Sequence, residues 1–357
     1  MAIDFSPDRW EVLKENYRLW WEGKRFIASV ELSGRDVGRP MPKAPLLAQA
    51  NCHDFSVSAE DVIDRVDYEL SGNVYLGDAF PFFSLNAFGP SAGALLLGAK
   101  ADNSTGNMWC SPPNDTPITE LHFEFDPNNI WLNRIKDICH AAVKRWKGQV
   151  LVGNCSISGA FDTLAVFRTT EELLIDLYDY PEEVERLVWE IHHLHFRIFD
   201  EINSVLFPVN PGYSDWLRPY SDTPYLTLQS DFAFMIGPDM FDRFVKPELE
   251  ACVNRLGRSM YHLDGVGQLA HLDSLLQIEK LDAVQWMPGA GAKPQAEWPE
   301  VYQKVIAAGK SVHGGGLDTA IKLIDQIGNS GRFMAATEKE ELSEEAHYRR
   351  KLAELGL

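Results

Sequence analysis

The amino-acid sequence predicts an α/β fold, a single (β/α)8 barrel of the TIM type, and three observations support this fold class. From about residue 129 onward, strand-like and helix-like segments alternate regularly, which is typical of parallel βαβ units. The strand-like segments number about eight along the chain. The sequence also lacks the Gly-x-Gly-x-x-Gly turn that is typical of a doubly wound dinucleotide-binding sheet. We expect one domain over residues 1–357, because no linker or short repeat interrupts the chain.

The first part of the chain predicts an N-terminal helix, a second helix and two strands. Pro7 and Asp8 open the first helix, and large apolar side chains then recur at helical spacing. The first strand contains Glu31, and the second strand breaks at the Gly77-Asp78 dipeptide. The predicted elements are helices at 6–24 and 58–70, strands at 26–32 and 74–83, and an irregular segment at 35–57.

The segment at 85–128 predicts a long insertion over one end of the fold. It is rich in Gly, Pro and Asn, so we expect a long loop or small hairpins. Loops of this length inside a compact domain are uncommon and usually functional. The segment is a candidate lid or dimer contact, and a homodimer is therefore one open alternative.

The remainder of the chain supplies the regular alternation of strands and helices. Pro181 opens one long helix as a first-turn residue, and Gly237-Pro238-Asp239 opens another. The predicted helices lie at 129–147, 159–179, 181–204, 268–278, 297–308 and 318–327, with a charged C-terminal helix, and the predicted strands lie at 149–157, 226–231, 258–264, 282–289, 311–313 and 332–338.

Composition and charge argue against several classes of function. The net charge of −19 comes without any Lys/Arg-rich tract, which argues against nucleic acid and anionic membranes as partners. Five scattered cysteines without C-x-x-C spacing argue against a disulfide scaffold or a cysteine-rich zinc module. The N-terminus lacks the pattern of a secretory signal, and the longest apolar stretch is too short to span a bilayer. We expect a cytoplasmic protein that acts on a small-molecule substrate.

Polar side chains occur where the predicted strands end, which is where TIM-type barrels place their active sites. Several carboxylates and two histidines would converge there. Each one has an ordinary structural alternative, such as a loop cap, a strand-bridging amide or a buried core histidine. The candidates are Glu31, Asp78, Asn154, Ser156, Asp231, His262, Asp264, Gln285, Trp286, His313 and Glu338.

The strand at 258–264 carries the most informative pair of residues. His262 and Asp264 are two residues apart, so their side chains project on the same side of the strand, just before Gly265. An imidazole and a carboxylate presented together suit a metal ion or a proton relay. The alternative is a histidine that a neighbouring carboxylate orients in a buried strand.

Two mechanisms are consistent with these side chains. In the first, His262, Asp264 and Glu338 bind a divalent metal, zinc above all, with His313 as a further candidate ligand. In the second, buried carboxylates work as general acid or base, with pKa values raised by burial and mutual repulsion. A barrel that binds a ligand without chemistry is the remaining alternative. The catalytic candidates are Asp231, Asp78 and Glu31, and the substrate-binding candidates are Asn154, Gln285, Trp286 and His313.

Several segments together resemble the uroporphyrinogen decarboxylase superfamily, which includes the cobalamin-linked methyltransferases. The likeness extends over roughly residues 60–340 and is specific in its sum. It implies a (β/α)8 barrel. The segments are Gly77-Asp78-Ala79, Asn86-Ala-Phe-Gly89, Ser158-Gly-Ala-Phe-Asp-Thr-Leu-Ala165, Met235-Ile-Gly-Pro-Asp239 after Asp231, His262-Leu-Asp-Gly265 and Gly314-Gly-Gly-Leu-Asp318.

The resemblance implies a methyltransferase-like enzyme that moves a methyl group between a small substrate and a corrinoid carrier or a thiol. Zinc methyltransferases of the superfamily hold their metal with a His-x-Cys pair and a later cysteine. By position, His262 matches the histidine, Asp264 replaces the first cysteine and Glu338 falls near the second. The resemblance therefore implies an oxygen-rich site for a divalent metal, and a corrinoid protein as partner.

True uroporphyrinogen decarboxylases carry an Arg-Gln-Ala-Gly-Arg segment after the first strand, whose arginines hold substrate carboxylates. The corresponding segment here, Val30 to Pro40, lacks that motif, which argues against a porphyrinogen substrate. The alternative function is a metal-free decarboxylase or lyase of the same superfamily that acts on a small carboxylated substrate.

Overall fold

Parallel strands form the centre of the fold. The computed structural model describes residues 2–357, except for the side chain of Glu338. The strands are β1 (Ile27–Ser33), β2 (Asn73–Gly77), β3 (Phe82–Phe83), β4 (Lys100–Asp102), β5 (Trp109–Ser111), β6 (Leu151–Val152), β7 (Tyr225–Gln229), β8 (Arg258–Asp264), β9 (Ala283–Met287), β10 (Ser311–His313) and β11 (Phe333–Glu341).

Helices separate most of the strands along the chain. A π-helical turn at Phe241–Val245 joins the helices at Pro238–Met240 and Lys246–Arg255. None of the helices in residues 2–357 combines the length and the apolar character needed to cross a bilayer. The helices are α1 (Pro7–Trp21), α2 (Ala59–Ser71), α3 (Ala92–Leu96), α4 (Ile130–Trp146), α5 (Ala160–Arg168), α6 (Thr170–Asp179), α7 (Pro181–Leu206), α8 (Pro238–Met240), α9 (Lys246–Arg255), α10 (Leu272–Leu276), α11 (Pro299–Ala307), α12 (Leu317–Ile327) and α13 (Glu345–Glu354).

The strand order is that of a TIM-like fold. The larger sheet runs β2-β1-β11-β10-β9-β8-β7, and β3 pairs with β6 in a second, two-stranded sheet. All pairs in these sheets are parallel except β1 with β2. The first parallel strand, β1, pairs with the last, β11, as a barrel requires. In the described part of the chain, no ladder joins β6 to β7 or β3 to β1, so the hydrogen-bonded ring is continuous only in part. The single domain over residues 1–357 stays a prediction.

The strand predicted at 74–83 is two strands in the structure, and this corrects one boundary of the expected barrel. Residues Asn73–Gly77 run antiparallel to β1, whereas Phe82–Phe83 run parallel to β6. Gly77 has a φ of +59°, which allows the chain to turn between the two strands. The parallel strand of this region is therefore the short β3.

Helix α1 covers the N-terminal ends of the strands. Its apolar side chains recur at helical spacing, and Trp20 and Trp21 are buried. The indole N–H of Trp20 donates to the carbonyl of Arg332, which directly precedes β11. The indole N–H of Trp21 donates to the carbonyl of Tyr220. The opposite, C-terminal ends of the strands are consequently the open ends.

The insertion predicted at 85–128 is more ordered than a long loop. It contains the buried helix α3 and the exposed hairpin of β4 and β5. The apolar stretch at 92–96 accounts for the helix, because it packs into the core. The expectation of small hairpins in this segment is confirmed by the hairpin of β4 and β5.

Candidate metal centre at the C-terminal ends of the strands

Strand β8 presents His262 and Asp264 together. Along this strand Tyr261 and Leu263 are buried, whereas His262 and Asp264 are partly exposed, as the two-residue period of a strand dictates. The Nε2 atom of His262 lies 3.7 Å from Oδ2 of Asp264. Both side chains stand where β8 ends and Gly265 turns away with a φ of +84°. The sequence-based placement of this pair is therefore correct.

The neighbouring strand β9 orients the imidazole. Gln285 faces His262 in the parallel ladder, and Nδ1 of His262 donates to Oε1 of Gln285 over 2.6 Å. A proton on Nδ1 leaves the lone pair on Nε2, which is the atom near Asp264. The ring of Trp216 stands edge-on to the imidazole, with centroids 5.0 Å apart. The imidazole is thus held by a polar partner and an aromatic neighbour.

The third member of the cluster, Asp231, follows strand β7 and begins a short 3-10 turn, Asp231–Met235. One ligand atom from each of Asp231, His262 and Asp264 lies within 4.8 Å of the others. Asp231 is exposed and the other two are partly buried, so the cluster is open to solvent on one side. The sequence placed Asp231 among the catalytic candidates; the structure places it beside the predicted metal ligands.

The imidazole of His262 and the carboxylates of Asp231 and Asp264 shift one another's pKa values. Burial disfavours the imidazolium of His262, but the interaction with Asp264 and Gln285 and the charge of Asp231 raise its pKa overall. His262 in turn lowers the pKa of Asp264. Partial loss of water raises the pKa of Asp231, with a further contribution from Asp264 and an opposing one from His262. The site therefore concentrates negative charge that a cation would compensate.

A carboxylate that the sequence analysis did not select, Asp162, fixes the position of Asp231. Near the start of α5, its two oxygens accept the backbone N–H groups of Asp231 and Phe232, each at 3.0 Å. The amide of Gln229 donates to the same carboxylate at 3.3 Å. Burial and the charge of Asp231 raise the pKa of Asp162 to about 6. Asp162 lies in the Ser158-to-Ala165 segment that carries the family resemblance, and this was the signal that could have identified it.

The donors suit a divalent metal. Zinc in catalytic sites takes nitrogen and oxygen ligands from three protein residues and keeps a position open for substrate. The cluster supplies one imidazole nitrogen and two carboxylates, and its exposed side leaves such a position. Gln285 supplies the outer hydrogen bond that metal-binding histidines usually make. The residues present therefore fit a metal of the zinc type.

Three cavities lie around the C-terminal ends of the strands. The largest of the three, of about 510 Å³, is lined by Asp162 and Asp231 together with residues of strand β5. A second, of about 480 Å³, is lined by Gln285 and His313. A third, of about 20 Å³, is lined by Glu31 and also borders Thr337, which lines the second cavity as well. Only the first of these three cavities borders a residue of the cluster, Asp231.

His313 and Glu31 lie near these cavities but outside the three-residue cluster. His313 is buried, and its Nδ1 accepts the N–H of Gly315 at 3.1 Å. Burial lowers the pKa of His313 to about 4, so this ring stays neutral at physiological pH. Glu31 accepts a hydrogen bond from Asn73 and forms an ion pair of 2.8 Å with Arg218. Arg218 was not anticipated from the sequence, where no local pattern distinguishes it.

The structure does not bring all predicted site residues to this cluster. Asp78 is buried beneath α1, where it accepts hydrogen bonds from Asn16 and from the N–H of Ala28 near the start of β1. Asp78 therefore does not lie at the open ends of the strands, where the sequence predicted it. Trp286 alternates with Gln285 on β9, so it faces the other way and packs against Trp298. A substrate contact by Trp286 stays a prediction, and the structure shows this side chain buried.

Two further predicted residues are Asn154 and Glu338. Asn154 is part of the packed interior, and the side chain of Glu338 is outside the described residues. Asn154 is buried after β6, where its N–H donates to Ser214 and its amide oxygen accepts a hydrogen bond from Asn203. These contacts place Asn154 in the packing of β6 against α7. The side chain of Glu338, the third predicted metal ligand, lies outside the described residues, although its backbone belongs to β11.

The fold and the site define a TIM-like α/β protein with nitrogen and oxygen donors gathered at the C-terminal ends of its strands. A solved structure of similar fold is a methyltransferase from Methanosarcina mazei, with 11% sequence identity, a TM-score of 0.58 and coverage of 92% of this chain and 94% of that chain. At this identity the likeness concerns the fold alone. The structure of macrophomate synthase has 15% identity, a TM-score of 0.25 and coverage of 66% of this chain and 74% of that chain. This similarity is too low to support an inference about the fold. No protein-family model and no curated protein matches the chain.

Proposed function

We propose that this protein is a methyltransferase-like enzyme that moves a methyl group between a small substrate and a corrinoid carrier or a thiol. Its metal, zinc being the favoured ion, would be held by Asp231, His262 and Asp264. The observation that carries the proposal is the convergence of these three donors at the open ends of the strands. The fold likeness to a methyltransferase supports the reaction class at the level of the fold. Asp231 takes the place that the sequence analysis gave to Glu338.

A zinc ion bound there would supply Lewis acidity toward the heteroatom of the substrate. The residues of this chain have separate tasks around it. Gln285 keeps the proton of His262 on Nδ1, and Asp162 holds the backbone of Asp231 in place. Trp216 packs edge-on against the imidazole and helps to hold its orientation. The largest cavity, beside Asp231, offers room for a small substrate.

Metal analysis of the purified protein tests the centre. We expect bound zinc, and we expect His262→Ala to lose about one equivalent of it. His140→Ala is the matched control, because His140 is an exposed histidine on α4, away from the cluster. An unchanged zinc content in folded His262→Ala would remove the proposed centre.

Methyl transfer itself can be measured with methylcobalamin and a simple thiol such as 2-mercaptoethanol. The thiolate sulfur attacks the methyl carbon, the cobalt–carbon bond breaks, and its electron pair stays on cobalt as cob(I)alamin while a thioether forms. The change in corrinoid absorbance reports the reaction. We expect turnover by the zinc-loaded protein and a loss of at least about 100-fold in Asp231→Ala. A metal-loaded protein that transfers no methyl group in either direction would contradict the proposed reaction while leaving the metal centre intact.

A second function is favoured by one observation, the proximity of two aspartates, Asp162 and Asp231, whose pKa values are both raised. Asp162 binds the backbone of Asp231, and the pKa of Asp162 is raised by burial to about 6. Such a pair suits general acid–base catalysis in a metal-free decarboxylase or lyase that acts on a small carboxylated substrate. Turnover that survives a chelator and disappears in Asp231→Asn would favour this function over methyl transfer.

A further inference from the structure

A second cluster of metal-binding side chains lies between helices α7 and α9, apart from the three-residue cluster on β8. It consists of His192 on α7 and of Glu248 and Cys252 on α9, and each is at most 6% exposed. Nδ1 of His192 lies 2.9 Å from Oε1 of Glu248, and Sγ of Cys252 lies 3.0 Å from the same oxygen. Sγ of Cys252 lies 3.7 Å from Nδ1 of His192. One imidazole, one carboxylate and one thiol thus meet at a single point.

Local structure accounts for the convergence. Glu248 and Cys252 are four residues apart in α9, so their side chains lie on one face of the helix. The π-helical turn at Phe241–Val245 comes just before α9. Pro247, at the start of α9, has no backbone N–H and so cannot donate a hydrogen bond to that turn. Such turns frequently mark functional sites in helices. The wide turn sets the rotation of α9, which faces this pair toward His192.

The carboxylate of Glu248 is buried without a lysine or arginine at ion-pair distance in the described part of the chain. The arginines nearest in sequence pair elsewhere, Arg243 with Glu185 and Arg255 with Asp200. An ionised carboxylate in such surroundings is costly unless a cation or several hydrogen bonds compensate it. Here both donors, His192 and Cys252, converge on one oxygen. A bound cation would compensate the charge more completely.

We propose that His192, Glu248 and Cys252 form a binding site for a zinc-type divalent cation, separate from the centre on β8 and independent of the proposed methyl transfer. Zinc accepts all three ligand types, whereas calcium and magnesium prefer oxygen alone. A tetrahedral zinc site has ligand-to-ligand distances of about 3.4–3.6 Å. The observed distances of 2.9, 3.0 and 3.7 Å need shifts of about half an ångström, which side-chain rotation can provide.

Charge and proton balance agree with such a site. Binding replaces the thiol proton of Cys252 by the metal and releases that proton to solvent, and the imidazole moves its remaining proton to Nε2. The thiolate and the carboxylate then neutralise the two positive charges of the ion, which suits a buried place. Trp189 packs edge-on against His192 at 5.3 Å and is 38% exposed, so the site lies just below the surface. An ion there would tie α7 to α9.

Cobalt substitution distinguishes this site from the centre on β8, because only this one contains sulfur. A thiolate bound to Co²⁺ gives a charge-transfer band in the near ultraviolet, whereas imidazole and carboxylate ligands do not. After removal of bound metal by a chelator and loading with Co²⁺, we expect the band in the natural protein and in His262→Ala. We expect Cys252→Ser to lose the band and about one equivalent of metal. Cys139→Ser is the matched control, since Cys139 is a buried cysteine on α4 away from this cluster.

Either of two outcomes overturns the proposal. If the Co²⁺-loaded protein shows no thiolate band, or if the band persists in Cys252→Ser and disappears in Cys139→Ser, the site does not bind metal. In case Cys252→Ser does not fold, Glu248→Gln provides a second variant. It keeps the size of the side chain and removes the charge, and we expect Zn²⁺ to bind at least about tenfold more weakly and the same band to weaken.

Discussion

Nδ1 of His262 donates to Oε1 of Gln285 over 2.6 Å, and the two residues face each other in the ladder between β8 and β9. The contact decides which nitrogen of the imidazole is available. In the neutral imidazole the proton lies on Nδ1, so the lone pair is on Nε2, the atom that faces the carboxylates of Asp231 and Asp264. Two neighbouring strands thereby prepare a ligand atom before any metal binds.

Removing this acceptor is expected to weaken metal binding. Gln285→Leu keeps the approximate volume but no longer accepts the N–H of His262, and we expect zinc affinity at the β8 centre to fall by roughly 10- to 100-fold. Gln285→Glu keeps the acceptor and should bind zinc at least as tightly as the natural protein. Competition with a chromophoric chelator measures both. Gln277→Leu, at an exposed glutamine, is the control. Equal affinities of Gln285→Leu and the natural protein would show that the hydrogen bond between His262 and Gln285 does not support metal binding.

The buried carboxylate of Asp215 is expected to make stability depend on pH. Burial raises the pKa of Asp215 to about 6, although Thr227 and Leu217 donate hydrogen bonds to it. The folded state therefore binds this proton more tightly than the unfolded state, whose pKa is near 3.8. The stabilising contribution is complete below pH 3.8 and is lost as the pH rises through about 6.

Urea unfolding across this pH range measures the effect. One proton contributes a slope of at most about 1.4 kcal/mol per pH unit. Asp215→Asn cannot titrate, so its stability relative to the natural protein should rise between pH 4 and pH 6, even though its overall stability is lower after the loss of an acceptor. The same pH dependence in both proteins would mean that Asp215 does not titrate in this range.

Asp78 is expected to act on stability alone. Asp78→Ala leaves the buried N–H of Ala28 and the half-buried amide of Asn16 without their acceptor, and a buried unsatisfied donor costs about 1–3 kcal/mol. We expect a lower free energy of unfolding and an unchanged zinc content per folded molecule. Asp231→Ala is the converse experiment, and we expect this variant to lose zinc and to change little in its free energy of unfolding. A loss of zinc in folded Asp78→Ala would place Asp78 back among the functional residues.

The sequence predicted β8 well because the strand carries its own signals. Buried and partly exposed residues alternate from Tyr261 to Asp264, and Gly265 ends the strand with a left-handed backbone. The helix predicted at 58–70 is α2 (Ala59–Ser71), and a local contact marks its start, because the hydroxyl of Ser58 accepts the N–H of Asp61. Elements and candidate ligands that depend on neighbours in sequence could therefore be predicted from the sequence.

The features that the sequence did not predict depend on distant contacts. Strands β3 and β6 have two residues each and are buried on all sides, so no alternation marks them. Asp162 acts on Asp231 across 69 positions, and no local pattern states that contact. Asp78 stood at a strand end in sequence, but the turn at Gly77 places it against α1. Tertiary geometry decided each of these cases.

Backbone strain at Arg218 allows a last prediction. Its φ is +62°, in the left-handed region that costs an L-residue about 1–2 kcal/mol relative to the usual helical region. The guanidinium pairs with the buried Glu31, and this pair holds the residue in place. Arg218→Ala and Arg218→Gly both lose the ion pair, and both should be less stable than the natural protein.

The two variants differ in backbone freedom, because glycine adopts a positive φ without strain. We expect Arg218→Gly to be about 1 kcal/mol more stable than Arg218→Ala in urea unfolding. Lys147, the C-cap of α4, has a φ of +50° and takes part in none of the ion pairs found in residues 2–357. There no ion pair is lost, so Lys147→Gly should exceed the natural protein in stability, while Lys147→Ala should not. If glycine and alanine are equivalent at both positions, the left-handed backbone is not strained, and the ion pair with Glu31 alone explains the conformation of Arg218.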